Sequence, residues 1–145
     1  MALLEKHLEI KESGIPGAGN GLFTTIYIAK GTRITEYKGR IATWKEVQND
    51  DSNFYIFFVT QKHVIDASKH KKVLARYIND AKGLTRVKGR NNNTQFVKDK
   101  YRVFVEATRD IKEGSELCIG YGKEYWDIVR QNIKADVKKT SLKNA

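Results

Sequence analysis

A mainly β, single-domain fold closed by one C-terminal helix is predicted by three features of this 145-residue chain. Short runs rich in β-branched and aromatic residues, each bounded by turn residues, recur from Leu22 to Ile119. A three- and four-residue period arises only after Lys123, where Trp126, Val129, Ile133 and Val137 form one apolar stripe. The length is that of one domain, and 40% apolar residues suffice for a core.

The elements follow in order. Leu22 to Ile28 alternates as a strand, Ala29-Lys30-Gly31-Thr32 turns, and Arg33 to Tyr37 continues as a second strand. Trp44 to Val47 reads as one helical turn. Asn53 to Val59 is a near-continuous apolar run whose length suits a strand buried on both faces. His63 to Asp66 returns after Thr60-Gln61-Lys62 as a hairpin partner. Lys82 to Asn93, with Gly83, Gly89 and three successive asparagines, is a loop, because asparagine bonds its own backbone and tolerates positive φ. Thr94 to Val97 and Tyr101 to Glu106 pair around Lys98-Asp99-Lys100. Arg109 to Ser115 is a second glycine turn, which leads into Glu116 to Ile119.

Composition excludes several classes. The single cysteine, Cys118, leaves no internal disulfide and no multi-cysteine zinc site, and His7, His63 and His70 lack ligand spacing, so no metal is expected. A cysteine inside a strand is more often an inert buried residue than a nucleophile. There is no signal-peptide core at Met1 to His7 and no apolar run long enough for a bilayer, so the chain reads as intracellular, without membrane contact. The expected compartment is the cytoplasm or nucleoid of a prokaryote, or the nucleus in a eukaryotic or viral setting. Phosphate-loop, zinc-helix and serine-elbow motifs are absent.

The net charge of +10 is unevenly spread. Residues 1–61 carry seven basic and seven acidic side chains, whereas 62–102 carry twelve basic and three acidic. Such a block attracts polyanions by counterion release, making nucleic acid an expected neighbour. A solvated loop face is the other reading of the same run.

Six short segments stand in a fixed order: Ser13-Gly-Ile-Pro-Gly-Ala-Gly19-Asn20-Gly21-Leu-Phe23, Glu36-Tyr37-Lys38-Gly39, Val73-Leu-Ala-Arg-Tyr77-Ile-Asn79-Asp80, Asn93-Thr-Gln-Phe96-Val97, Arg109-Asp-Ile-Lys-Glu-Gly114, and Glu116-Leu-Cys-Ile119-Gly-Tyr121-Gly122. With Val64-Ile-Asp-Ala67 between the second and third, this order resembles the SET domain of lysine methyltransferases over roughly residues 12–126. The resemblance implies small β-sheets around a knot-like crossing, of β-clip type. It also implies transfer of methyl groups from S-adenosylmethionine to lysine side chains of a protein, histone or basic nucleoid-associated.

Site residues carry over position by position. Tyr121 matches the tyrosine at the methyl-transfer centre; outside the family it would be a core tyrosine with its hydroxyl at the surface. Tyr37, Phe96, Ile119 and Tyr121 match the lysine channel, whose aromatic walls exclude water and keep the amine neutral. Ile119, where relatives carry Phe or Tyr, has no hydroxyl to hold a water, which by analogy favours di- or trimethylation. Gly19-Asn20-Gly21, Tyr77, Asn79, Tyr121 and Trp126 match cofactor-binding positions. Asp80 stands where the family carries histidine, and Asn93 matches the asparagine that follows. Trp126 follows Tyr125 as in the small viral SET proteins, and the chain lacks the zinc-bound cysteine cluster with which larger relatives close this region. Its indole either stacks on adenine or anchors the helix, whose stripe also offers a homodimer contact.

The expected organisation is therefore a lead-in at 1–11, the SET domain at 12–122, a helix at 123–137 that completes the cofactor site or a dimer contact, and a disordered tail at 138–145. A non-catalytic module of the same fold, binding nucleic acid or a peptide through its basic face, is the alternative. Because enzyme and histone-like substrate are both basic, either Glu36, Glu106 and Glu116 line the peptide groove, or substrate is met on nucleic acid held by 62–102.

Overall fold

The alternating runs pair as the sequence pattern requires in a computed structural model that describes residues 3–49, 55–82 and 91–121. The expected helix at 123–137, the tail, Trp126, Gly122 and most of the 82–93 loop lie outside these residues. Among those described, the strands form three small antiparallel sheets of three strands each.

In the first sheet, β1 (Leu8–Glu12) and β9 (Glu116–Leu117) flank β2 (Asn20–Thr24). The lead-in thus contributes a strand, in register from Leu8 opposite Thr24 to Glu12 opposite Asn20. β2 ends at Thr24, earlier than its alternation suggested. Thr24 turns its hydroxyl onto the Ile26 carbonyl at 2.8 Å, a local bond that competes with the ladder. Ile28 then pairs only with Ile111, so the two glycine turns lie beside one another.

The second sheet sets β8 (Arg102–Ala107) between β3 (Arg33–Glu36) and β7 (Thr94–Asp99). Val103 and Val105, both fully buried, supply its centre. The third sheet sets β6 (His63–Asp66) between β4 (Arg40–Ala42) and β5 (Ile56–Thr60). β5 is half-exposed rather than buried on both faces: Phe58 is 45% exposed and stands edge-on to Trp44. Burial alternates along β5, with Phe58 and Thr60 exposed and their neighbours half-buried, so one face is covered and hydrophobic continuity here does not mean double burial. The single turn α1 (Trp44–Val47) is held by a capping box in which Thr43 and Glu46 exchange hydrogen bonds.

Leu22, Ile28, Ile34, Ile65, Ile78, Val103, Val105, Leu117 and Ile119 join the sheets in one core, against which Tyr121, Phe96, Phe57 and Tyr77 pack.

Candidate active site

The chain crosses itself at Cys118 and Ile119. Cys118 bridges in parallel to Asn79 and Ile119 in parallel to Thr94, so one segment runs between two others that lie 39 and 25 positions earlier. Ile119 donates its N–H to the Asn79 carbonyl at 2.9 Å, while the Cys118 carbonyl accepts from the Asn93 and Thr94 amides at 3.0 Å and from the Thr94 hydroxyl at 2.7 Å. Asn93 adds its side chain, accepting from Cys118 N–H at 2.8 Å and donating to the Glu116 carbonyl at 3.0 Å. Such bonds satisfy backbone groups that a buried crossing otherwise strands away from water.

Tyr121 emerges from this crossing. Its hydroxyl donates to the Ile78 carbonyl and its backbone N–H donates to Asp80 Oδ2 at 3.0 Å. One three-residue segment thus holds both ends of the tyrosine. Ile119, fully buried, lies two residues earlier. The Thr94–Ile119 bridge puts Phe96 and Tyr121 each two residues beyond a paired position on parallel segments.

Tyr37 and Phe96 meet edge-on with ring centres 5.9 Å apart. Phe57 completes the group, 5.0 Å from Phe96 and 6.0 Å from Tyr37. Tyr37 is buried, and its hydroxyl donates to the Tyr55 carbonyl at 2.6 Å, which fixes the ring's rotation. Sequence reasoning missed Phe57. Its place in the apolar run gave it no mark over Phe54 or Phe58; the pairing with Ile65 accompanies its contacts with Tyr37 and Phe96.

The glycine-rich segment lies beside Asn79, whose side-chain amide donates to the Asn20 carbonyl at 3.0 Å. Gly19 adopts φ +72°, and nothing lies within 4 Å of where a Cβ would stand. Gly21 is small for another reason: a Cβ there would meet Glu116 Oε2 at 2.4 Å. That carboxylate is buried and accepts from Ser13 Oγ at 2.7 Å and Gly14 N–H at 3.0 Å, bracing the loop. Tyr77, half-buried, donates its hydroxyl to the Lys71 carbonyl at 2.6 Å. The neighbouring Arg76 guanidinium lies 4.1 Å from the Tyr55 ring centre and donates to the Ala67 and Ser68 carbonyls, linking this segment to the residues around Tyr55.

Of the three carboxylates that one alternative set along a peptide groove, Glu106 is half-buried, whereas Glu36 and Glu116 are committed to partners inside the fold. Both are buried, Glu36 in a two-pronged pair with Arg102 at 2.7 and 3.2 Å and Glu116 on the Ser13 loop. A buried carboxylate needs such partners to offset its lost hydration. Hydrogen bonding to Glu36 is also the main cause that raises the Arg102 pKa.

Among the described residues, no cluster of three His, Cys, Asp or Glu side chains suits a metal, and no helix is long and apolar enough to cross a membrane.

The comparisons agree with this geometry. The SET domain family matches residues 19–122, from the glycine segment to the residue after Tyr121. The chain is 33% identical over 115 residues to the histone-lysine N-methyltransferase ASHH3 of Arabidopsis thaliana, a match covering 71% of this chain and 29% of that protein. It is 28% identical over 123 residues to N-lysine methyltransferase KMT5A-A of Danio rerio, covering 74% and 33%. To PR domain zinc finger protein 14 of Mus musculus it is 29% identical over 109 residues, covering 72% and 18%. The chain therefore spans a third or less of these relatives' length. The solved methyltransferase domain of human PR domain-containing protein 2 shares the fold, with TM-score 0.61, 21% identity, and 80% and 77% of the two chains covered. The crossing at Cys118, the tyrosine it delivers and the match over residues 19–122 lead to one conclusion: this chain belongs to the SET domain family.

Proposed function

We propose that this protein methylates lysine side chains of a protein substrate, with S-adenosylmethionine as the methyl donor. The observation that carries the reading is the placement of Tyr121 at the crossing, in the same core cluster as the Tyr37, Phe57 and Phe96 rings.

The residues at hand suit the donor. Space is open where a Gly19 side chain would begin, and Asn79 steadies that segment through Asn20. Gly19, Asn20, Gly21, Tyr77, Asn79 and Tyr121 would hold it, with Trp126 beyond the described residues. When bound, S-adenosylmethionine supplies an electrophilic methyl on a sulfonium. The protein's part is alignment and exclusion of water. Tyr37, Phe57 and Phe96 form a low-dielectric wall that favours the neutral amine of an entering lysine. Tyr121 commits its hydroxyl proton to Ile78, which leaves the phenol oxygen in the role of acceptor for the reacting groups. Ile119 adds bulk without a hydroxyl, consistent with more than one methyl addition.

The acceptor proposed is a histone or basic nucleoid-associated protein. With Glu36 and Glu116 committed internally, like charges are better reconciled if substrate is met on nucleic acid. Lys62, Lys98 and Lys100 are exposed and Tyr101 stands 60% exposed beside them, whereas Arg33 and Arg102 are paired with Asp99 and Glu36. The same basic face sustains the second reading, a non-catalytic module that binds nucleic acid or a peptide.

Transfer from labelled S-adenosylmethionine to a mixture of histones and nucleoid proteins tests the proposal. The intact chain should label lysine, and Tyr121→Phe should lower the rate about a hundred-fold, the scale expected when reacting groups lose alignment. Absence of S-adenosylmethionine binding by calorimetry would favour the non-catalytic module.

A further inference from the structure

We propose that Asp80 is the positioning residue of this site: its carboxylate fixes the backbone of Tyr121 and thereby aims the phenol. The inference rests on the methyltransferase reading and concerns the position where the resembling family carries histidine.

Asp80 is 7% exposed, at the end of the segment Ile78-Asn79-Asp80. Its two oxygens serve different parts of the crossing. Oδ2 accepts the Tyr121 N–H at 3.0 Å, whereas Oδ1 accepts the Lys82 N–H at 2.8 Å and the Asn92 side-chain amide at 3.0 Å. Asn92 in turn accepts the Ala81 N–H at 2.8 Å, closing a loop of bonds around the carboxylate. Two residues earlier along the chain, the Ile78 carbonyl takes the Tyr121 hydroxyl. Main chain and side-chain tip of the tyrosine are thus registered against the same short segment. A displacement of Asp80 moves one anchor relative to the other and swings the ring.

The chemistry of the group matters as much as its place. In these bonds Asp80 acts as an acceptor, through both oxygens. An ionised carboxylate accepts at all its lone pairs, whereas an amide of the same shape must turn an N–H toward one of these donors. If it faces Tyr121 N–H, the tie to the tyrosine becomes a donor opposite a donor. If it faces the other side, Lys82 and Asn92 lose their acceptor and the segment carrying the tie is released. Asp80→Asn is therefore a near-isosteric change that spares volume and disrupts the clamp. A histidine at this position presents at most one acceptor nitrogen, so it does not reproduce this arrangement.

A residue that acts through Tyr121 has a kinetic signature that a general structural role lacks. Once the phenol is gone, its aim no longer matters, so the two losses must not multiply. Methyl transfer is measured for the wild type, D80N, Y121F and the double variant, with kcat and KM separated. D80N is expected to lower kcat roughly ten- to a hundred-fold while changing both KM values less than about threefold, the pattern of lost alignment with binding retained. In the Y121F background the same change should cost less than about threefold more. Multiplicative losses in the double variant, or wild-type kcat in D80N, would overturn the proposal.

Amide hydrogen exchange reads the clamp without catalysis. The Tyr121 amide should exchange slowly in the wild type and faster in D80N, with β1 and β2 unchanged. A fast-exchanging Tyr121 amide in the wild type overturns the proposal even if D80N does not fold. If no acceptor is methylated but Tyr121 exchange slows and quickens as stated, the clamp stands and the functional reading fails.

Discussion

Gly21 and Glu116 are complementary: the carboxylate occupies the space where any other residue at position 21 would carry its Cβ, 2.4 Å from Oε2. The glycine is required by a side chain 95 positions away in sequence, whose buried carboxylate gathers Ser13 and Gly14. Loop geometry and the first sheet are therefore one unit.

Gly21→Ala should accordingly destabilise the protein by about 1–3 kcal/mol, as overpacking of a filled interior does. Glu116→Ala alone should cost about 1–3 kcal/mol by leaving the Ser13 and Gly14 donors without this acceptor. The double variant should be less destabilised than the sum, because the smaller side chain removes the clash. Chemical denaturation of the four proteins checks this, and strict additivity would count against the close approach.

The aromatic group predicts a separable effect on the acceptor. Phe57→Ala removes a wall that touches Tyr37 and Phe96, so the KM for the lysine substrate should rise more than that for S-adenosylmethionine. A wetter channel lowers the amine's pKa less, so the alkaline rise in activity should move to higher pH. Tyr37→Phe keeps the wall but loses the 2.6 Å bond to Tyr55, at a stability cost of about 1 kcal/mol. Initial rates across pH for the three proteins are decisive, and an unchanged acceptor KM in F57A would refute the channel.

Acid lability should arise in part at two exposed carboxylates. The Lys30 backbone N–H, followed by the Tyr27 hydroxyl, holds the Asp110 carboxyl below its usual range, and the Thr43 backbone and hydroxyl do the same for Glu46. A depressed folded pKa contributes stability that is fully present above the unfolded value and lost as pH falls through the folded one. Melting temperature should therefore fall on acidification below the ordinary carboxylate range, and less steeply in D110N. Both groups are exposed, so added salt should shrink the difference. Parallel melting curves for wild type and D110N would contradict this.

The exposed lysines at the hairpin ends make the encounter with nucleic acid measurable. Replacing Lys62, Lys98 and Lys100 by Gln should weaken duplex DNA binding and reduce the slope of log affinity against log salt, by at most about 3 if each contacts a phosphate. Tyr121→Phe should leave that slope unchanged. Fluorescence anisotropy over a salt series gives both numbers, and an unaltered slope in the lysine variant would place any nucleic-acid contact elsewhere.

Much of this was legible in the chain itself. Residue type and turn spacing located the β6 and β8 strands and the Thr94 to Val97 run, Trp44 to Val47 read as one helical turn, and six ordered segments identified the family. These signals are local: side-chain period, turn chemistry and short motifs lie within a few residues of one another. Pairing across the fold was not legible. No local pattern distinguishes Phe57, which joins Tyr37, from Phe58, which faces outward, because both belong to one apolar run and only packing decides which face of the strand is covered. Nor does composition tell that Glu36 and Glu116 are buried among donors, or that Asp80 meets Tyr121 across 41 positions. The sequence by itself determined the fold class, the family and the tyrosine to watch. Tertiary structure alone decided what surrounds that tyrosine, since burial and hydrogen-bond partnership are set by chain crossings that no local stretch encodes.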